Sequence, residues 1–267
     1  WVIIARWHPS TSAKKASFTS ANISRSAAPA STLDPALSEL IVGGLTPLTT
    51  TDYPGCLSAV IFCQGCPWHC GYCQNTHLLP PRAEHPIAWR DVAAFLERRR
   101  GLLDAVVFSG GEPTLQAALP EALLEVRAMG FRIGLHSAAI YPERLKTVLP
   151  WLDWVGLDIK APFDQYEAVT GAPGSGEKAR EGLAALLESG IAYEVRTTVH
   201  ALLHTPESLL QLAHELKSMG VQNYVVQEFR PQGCTSLSLC ANARPLLDAG
   251  LTGQIAALFK NFTLRQA

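Results

Sequence analysis

The feature that most constrains the fold is a regular alternation of short apolar segments with segments of helical spacing. The apolar segments, each bounded by turn residues, predict strands at 57–63, 105–108, 131–135, 154–157, 193–199 and 223–227. The helical segments lie at 88–100, 116–129, 142–149, 177–189 and 206–219. Such alternation implies parallel strands joined by right-handed crossovers. Six units are too few to close an eight-unit barrel, so the sequence predicts an α/β fold, either a partial (β/α)6 barrel or a doubly wound sheet.

Polar and glycine residues recur where the predicted strands end, which is where open α/β sheets bind their ligands. A cysteine-rich stretch follows the first strand, and Ser109–Pro113 follows the second. His136 follows the third strand, Asp158 and Lys160 follow the fourth, and Arg196 lies on the fifth. We therefore expect these residues to meet at one end of the sheet.

The first 38 residues differ in composition from the rest of the chain. They are rich in Ser, Ala and Thr and contain no acidic residue before Asp34. This composition is typical of a transit peptide, of a disordered leader and of a misassigned translation start. We predict a disordered or spurious extension over 1–38 and one domain over 39–267.

Charge and cysteine usage exclude several classes of protein. The net charge of −1 provides no attraction to nucleic acid or to an anionic membrane. No apolar run approaches the ~20 residues of a membrane-spanning helix. Five of the seven cysteines fall between positions 56 and 73, which favours metal ligands in a reducing compartment over a disulfide framework. We expect a cytoplasmic protein with a metal centre.

Three of these cysteines, Cys66, Cys70 and Cys73, have a spacing that suits an iron–sulfur cluster, whose usual ligands are thiolates. Three ligands would leave the fourth iron of a [4Fe-4S] cluster free to bind a small molecule. Catalytic zinc sites likewise keep one coordination position open. A zinc site aided by nearby histidines and a four-cysteine electron-transfer cluster that includes Cys63 are the alternatives. Cys63 fits better as a small buried hydrophobe at the end of a strand.

The same three cysteines, with Tyr72 before the last, resemble the motif of the radical S-adenosylmethionine (SAM) superfamily. Gly110–Pro113, about 40 residues further on, resembles the methionine-binding motif of that superfamily. Segments 43–47, 51–55, 64–67, 154–160 and 196–199 resemble activases of glycyl radical enzymes, most closely those of anaerobic ribonucleoside-triphosphate reductase. The resemblance covers residues 40 to 240 and implies the partial-barrel alternative.

This resemblance implies an activity, two cofactors and two protein partners. The cofactors would be a [4Fe-4S] cluster and S-adenosyl-L-methionine. Reductive cleavage of SAM would produce a 5′-deoxyadenosyl radical, which would take a hydrogen atom from a glycine of the partner enzyme. The implied partner is anaerobic ribonucleoside-triphosphate reductase, and flavodoxin or ferredoxin would donate the electron. Pyruvate formate-lyase as the partner, or direct action on a small molecule, is the alternative.

By position, the resemblance also assigns residues to the cofactors, with the three thiolates on the cluster. The implied SAM contacts are Tyr72, Asn75, Ser109, Gly110, Gly111, Glu112, Asp158, Lys160 and Arg196. Glu112 would accept from the ammonium group, and Arg196 suits a carboxylate. A strand-end ion pair between Asp158 and Lys160, and a structural role for Arg196, are the alternatives. Relatives often carry Thr-Asn-Gly where this chain has Ser-Ala-Ala at 137–139, so a contact there is left unassigned.

Overall fold

A computed structural model describes residues 39–266, which form one eight-stranded sheet with helices packed against it. The strands are β1 (Val42–Thr49), β2 (Ser58–Cys63), β3 (Ala105–Gly110), β4 (Arg132–Ser137), β5 (Trp154–Asp158), β6 (Ala192–Val199), β7 (Asn223–Glu228) and β8 (Asn261–Arg265). The helices are α1 (Trp89–Glu97), α2 (Leu119–Ala128), α3 (Pro142–Val148), α4 (Tyr166–Thr170), α5 (Ser175–Ser189), α6 (Pro206–Ser218), α7 (Leu237–Ala241) and α8 (Ala249–Ala256). The extension predicted for 1–38 lies outside the described residues.

The strands follow one another across the sheet in chain order, from β1 to β8. Strands β2 to β8 are parallel, whereas β1 runs antiparallel to β2. The sheet ends at β1 and β8 and does not close. This confirms the predicted open α/β fold, and the six predicted strands correspond to β2 through β7.

The two edge strands were not predicted from the sequence. Strand β1 contains Gly43, Gly44 and Pro47, which are typical of loops. It is a strand because it pairs with β2, and the register of that pairing shifts at two points. Strand β8 has five residues and is held by parallel pairing to β7 from Asn223↔Asn261 onward. Both segments form strands because they pair with other strands of the sheet, and local strand propensity does not predict that pairing.

The two faces of the sheet differ, and the difference positions the site. Alternate residues such as Ile61 and Leu135 are fully buried in the main core, which also contains the apolar faces of the helices. On the opposite, inner face, Val60, Val107 and Trp154 belong to a separate apolar cluster near the amino ends of the strands. Toward the carboxyl ends the inner face becomes polar. Within residues 39–266, no helix has both the length and the apolar character needed to cross a membrane.

Candidate active site

A cavity at the carboxyl ends of β2 to β6 brings together nearly all of the residues predicted for the site. Its walls include Cys66, Cys70, Tyr72, Cys73, Asn75, Ser109, Gly110, Gly111, Glu112, Asp158 and Lys160. Of the predicted set, Arg196 is not in the wall and lies buried behind Asp158. Trp68 also lines the cavity and was not predicted from the sequence, and Thr198, two residues after Arg196 on the fifth predicted strand, lines it too. The sheet therefore brings four separate loops to one place.

The three predicted cluster ligands lie on the loop that follows β2. Backbone hydrogen bonds fix this loop, from the Cys66 N–H to the Leu79 carbonyl (3.1 Å) and from the His69 N–H to the Thr170 carbonyl (3.0 Å). Burial raises the pKa of Cys66 to about 12 and also raises those of Cys70 and Cys73, so the thiols are protonated until a metal displaces their protons.

The arrangement of the thiols fits a cluster better than a zinc ion. In the part of the chain that the structure describes, no three His, Cys, Asp or Glu side chains converge as ligands of one metal ion. A cubane does not require convergence, because each thiolate binds its own iron. His69 is exposed. Cys63 is fully buried in the main core and is absent from the cavity wall, as expected for a buried hydrophobe.

The loop after β3 lies directly against the backbone that leads into the cysteine loop. The Gly111 N–H donates to the Cys63 carbonyl and the Glu112 N–H donates to the Gly65 carbonyl, both at 2.9 Å. A Cβ atom on Gly111 would lie 2.2 Å from the Gly65 carbonyl oxygen, and one on Gly110 would lie 2.6 Å from the Cys63 backbone. Two glycines are therefore required for this close approach.

Glu112 connects the loops that follow β3 and β4. Its buried carboxylate accepts from the Thr114 N–H (3.1 Å) and hydroxyl (2.7 Å), and from the Ser137 hydroxyl and the Ala138 N–H (both 2.9 Å). Burial raises the pKa of Glu112, and these four hydrogen bonds oppose that shift by favouring the carboxylate. Ser137 and Ala138 thus supply two of the four donors.

Asp158, Lys160 and Arg196 form one charged group at the ends of β5 and β6. The Arg196 Nε donates to the Asp158 carboxylate at 2.8 Å, and the Lys160 Nζ lies 3.6 Å from the other carboxylate oxygen. Burial opposes the charge of Lys160, but Tyr72, Asp158, Cys70 and Tyr166 together outweigh burial and place the pKa of Lys160 well above its usual value. Two cations share one anion, so the group carries a net positive charge.

Two buried residues outside the predicted set hold the backbone of Lys160. The Lys160 N–H donates to the Tyr166 hydroxyl (3.0 Å), and the His204 Nε2 donates to the Lys160 carbonyl (2.8 Å). His204 Nδ1 accepts from the His200 N–H at 3.1 Å, so His204 is a neutral ring, and burial lowers its pKa accordingly. No local pattern points to His204, because the contact spans 44 positions.

His136, expected from the sequence near the end of the third predicted strand, connects the inner face to the segment after β1. The Asp52 carbonyl can only accept, so the His136 Nε2 donates to it (2.9 Å). His136 Nδ1 then accepts from the Ser109 hydroxyl at 3.2 Å. Burial lowers the pKa of His136 well below its usual value and keeps the ring neutral. The ring thereby orients Ser109 in the cavity wall.

The sequence matches the radical SAM superfamily over residues 60–216, which is more than half of the chain, and the protein belongs to that superfamily. Members of this superfamily use a [4Fe-4S] cluster and S-adenosylmethionine. The three thiols and the glycine loop described above fit these groups in residue type and position.

Two curated proteins and one solved structure are similar to this chain. A protein of Methanocaldococcus jannaschii named as a glycyl-radical enzyme activating enzyme is 29% identical over 199 residues, covering 72% of this chain and 81% of that protein. The pyruvate formate-lyase-activating enzyme of Clostridium pasteurianum is 29% identical over 179 residues, covering 63% and 72%. The structure of Streptococcus suis SuiB bound to S-adenosylmethionine superposes with a TM-score of 0.58 at 12% identity, covering 76% of this chain and 48% of SuiB. The likeness to SuiB shows the fold alone, and this chain spans about half the length of SuiB.

Proposed function

We propose that this protein activates a glycyl radical enzyme, and that residues 39–267 form a single radical SAM domain. The observation that carries the proposal is the position of three thiols beside the Gly110–Glu112 loop, in one cavity at the carboxyl ends of the strands. A metal-binding module without catalysis has no need for such a loop. Two relatives with activase names cover most of this chain and support the assignment.

In this proposal Cys66, Cys70 and Cys73 hold the cluster, and the remaining wall holds S-adenosylmethionine. When bound, the two cofactors supply a 5′-deoxyadenosyl radical by reductive cleavage. The net positive charge of the Asp158–Lys160–Arg196 group suits the carboxylate of the cofactor. The buried Trp68 side chain excludes water from the wall.

The other contacts follow from position in the wall. Ser109, Gly110 and Gly111 offer backbone atoms and a hydroxyl to the amino group of SAM, and Glu112 offers its carboxylate to the same group while it also keeps their loop in place. Tyr72 and Asn75, beside the cysteine loop, contact the adenosyl part. The proposal requires no catalytic residue of the chain beyond those that hold the cluster and S-adenosylmethionine.

The proposed partner is anaerobic ribonucleoside-triphosphate reductase, with flavodoxin or ferredoxin as the electron donor. The resemblance of segments 43–47, 51–55 and 154–160 to its activases supports this partner. Pyruvate formate-lyase is the second candidate, because one relative is named as its activating enzyme.

The experiment has two stages, which test the cofactor chemistry and the partner separately. The protein is reconstituted anaerobically with iron and sulfide, reduced, and given S-adenosylmethionine. Absence of 5′-deoxyadenosine, although EPR shows a reduced [4Fe-4S] cluster, would refute the proposed chemistry. Each candidate glycyl radical enzyme is then added, and the expected result is a glycyl EPR doublet on the reductase. Active SAM cleavage without a doublet on either candidate would refute the activase proposal.

A further inference from the structure

Two cysteines outside the proposed cluster site lie next to each other after β7. Cys234 and Cys240 belong to the segment 230–241, which turns back on itself through α7, so that the Cys240 thiol lies 3.6 Å from the Cys234 carbonyl. Both side chains are partly exposed. The turn therefore holds two thiols together within reach of solvent.

The segment 230–241 is packed against the loop that carries the proposed cluster ligands. The Cys234 thiol donates to the Gly71 carbonyl at 3.7 Å, and the Gln74 side chain donates to the Arg230 carbonyl at 2.6 Å. A Cβ atom on Gly233 would lie 2.4 Å from the Gln74 carbonyl oxygen, so the two backbones have no space between them. Gly71 and Gln74 lie on either side of Cys73. A displacement of Cys234 must therefore be transmitted to the ligand loop.

The position of the pair limits the chemistry that it can perform. Neither cysteine is in the cavity wall, and within residues 39–266 no third His, Cys, Asp or Glu side chain joins them as ligands of a metal ion. Two neighbouring thiols without a metal have one common reaction, which is oxidation to a disulfide.

We propose that Cys234 and Cys240 form a reversible disulfide that switches the cofactor site off under oxidising conditions. The oxidant is a small disulfide such as oxidised glutathione. One cysteine thiolate attacks a sulfur of that disulfide, releases one thiol and forms a mixed disulfide. The second cysteine then attacks the protein sulfur of that mixed disulfide and releases the second thiol, so two cysteine thiols are oxidised as one disulfide is reduced. The two cysteine protons pass to the released thiolates.

The expected effect follows from the loss of the thiol hydrogen. A disulfide sulfur carries no hydrogen, so forming the bond removes the hydrogen bond from the Cys234 thiol to the Gly71 carbonyl. The ligand loop loses that support between Cys70 and Cys73. A displacement of about 1 Å in a positioning loop lowers rates by about 100-fold, so we expect SAM cleavage to fall by about 10- to 100-fold. The inference depends on membership of the radical SAM superfamily and not on the identity of the partner enzyme.

The test uses the reconstituted full-length protein, incubated anaerobically across a range of reduced-to-oxidised glutathione ratios. Samples are quenched with iodoacetamide and digested with trypsin. Because Arg230 and Arg244 each precede proline, both cysteines remain on the single fragment 218–260. The disulfide appears in the mass spectrum as loss of both alkylations from that fragment. Iron content and 5′-deoxyadenosine formation are measured on the same samples, and dithiothreitol should restore activity.

Cys240→Ser cannot form the bond and should keep its activity at every glutathione ratio. Cys234→Ser provides a second variant, whose activity, at whatever level the reduced variant has, should not change with the glutathione ratio. Cys56→Ser is the matched control, because this buried cysteine lies at the opposite end of β2 and its loss should leave the oxidative inactivation unchanged. Full alkylation of both cysteines at every ratio would overturn the proposal. A disulfide that forms without any change in iron content or SAM cleavage would overturn it as well.

Discussion

Gly111→Ala tests whether the close approach of the β3 loop to the cysteine loop is essential. The added methyl group would lie 2.2 Å from the Gly65 carbonyl oxygen and 3.1 Å from the Leu78 carbonyl oxygen. Ordinary contact begins at about 3.4 Å, so the first distance is short by more than 1 Å. Both atoms belong to the backbone, and no side chain can rotate away to relieve the contact.

The magnitude has two parts. Overpacking of this kind costs about 1–3 kcal/mol, and the same displacement breaks the hydrogen bond from the Glu112 N–H to the Gly65 carbonyl, for about 1 kcal/mol more. We therefore expect the free energy of unfolding to fall by about 2–4 kcal/mol. Because Cys66 follows Gly65 directly, a shift of about 1 Å should also lower SAM cleavage by about 100-fold.

Urea unfolding followed by circular dichroism measures the first effect, and 5′-deoxyadenosine formation by the reconstituted protein measures the second. Gly253→Ala is the matched control, because Gly253 lies within α8 with no atom within 4 Å of its added Cβ. That substitution should stabilise the protein by about 0.5–1 kcal/mol through helix propensity and leave activity unchanged. Wild-type stability and SAM cleavage in Gly111→Ala would refute the reasoning.

Three further predictions concern single side chains. Cys70→Ala should abolish both SAM cleavage and reconstitution of the [4Fe-4S] cluster. Cys63→Ala should retain the cluster in iron analysis, because Cys63 lies in the main core. Equal loss in both variants would mean that the ligand assignment is wrong. Glu112→Gln replaces an acceptor of four hydrogen bonds by an amide whose nitrogen can only donate, so urea unfolding should show that the free energy of unfolding falls by about 2–3 kcal/mol. The control Glu121→Gln, at an exposed position, should change this free energy very little. Burial depresses the pKa of His136, so the unfolded chain binds more protons and stability should decline as the pH falls below about 6.5, by up to about 1.4 kcal/mol per pH unit. His136→Gln should reduce that dependence in urea titrations at pH 7.5 and 5.5, and an unchanged slope would contradict the assignment.

The parts of the fold that depend on local pattern were predictable. Strands β2 to β7 are short apolar runs, and α1, α2, α3, α5 and α6 have helical apolar spacing, so both periodicities are present in the sequence. The short helices α4, α7 and α8 were not predicted. Strand β1 was missed because its glycines and proline resemble a loop until it pairs with β2. Strand β8 was missed because it is polar at both ends and no residue in it is fully buried, unlike the equally short β5.

The site likewise divides into residues that a local motif predicts and contacts that only the folded chain creates. The motif residues were found because their spacing is local, and they do line one cavity. His204 was not found, because it contacts Lys160 from the loop after β6, 44 positions away. The role of Glu112 in joining two loops also depends on Ser137 and Ala138, which are about 25 positions away.

The sequence by itself determined the open parallel sheet, the end of that sheet at which a site should lie, and the cysteine and glycine motifs that we propose bind the cofactors. These features follow from periodicity and from spacing within single loops, which a linear chain displays directly. Only the tertiary structure decided that Arg196 is bonded to Asp158, that His204 holds Lys160, and that Cys234 lies against the ligand loop. Each of these contacts joins residues dozens of positions apart or more, and such pairs become neighbours only when the crossovers bring the strand ends together.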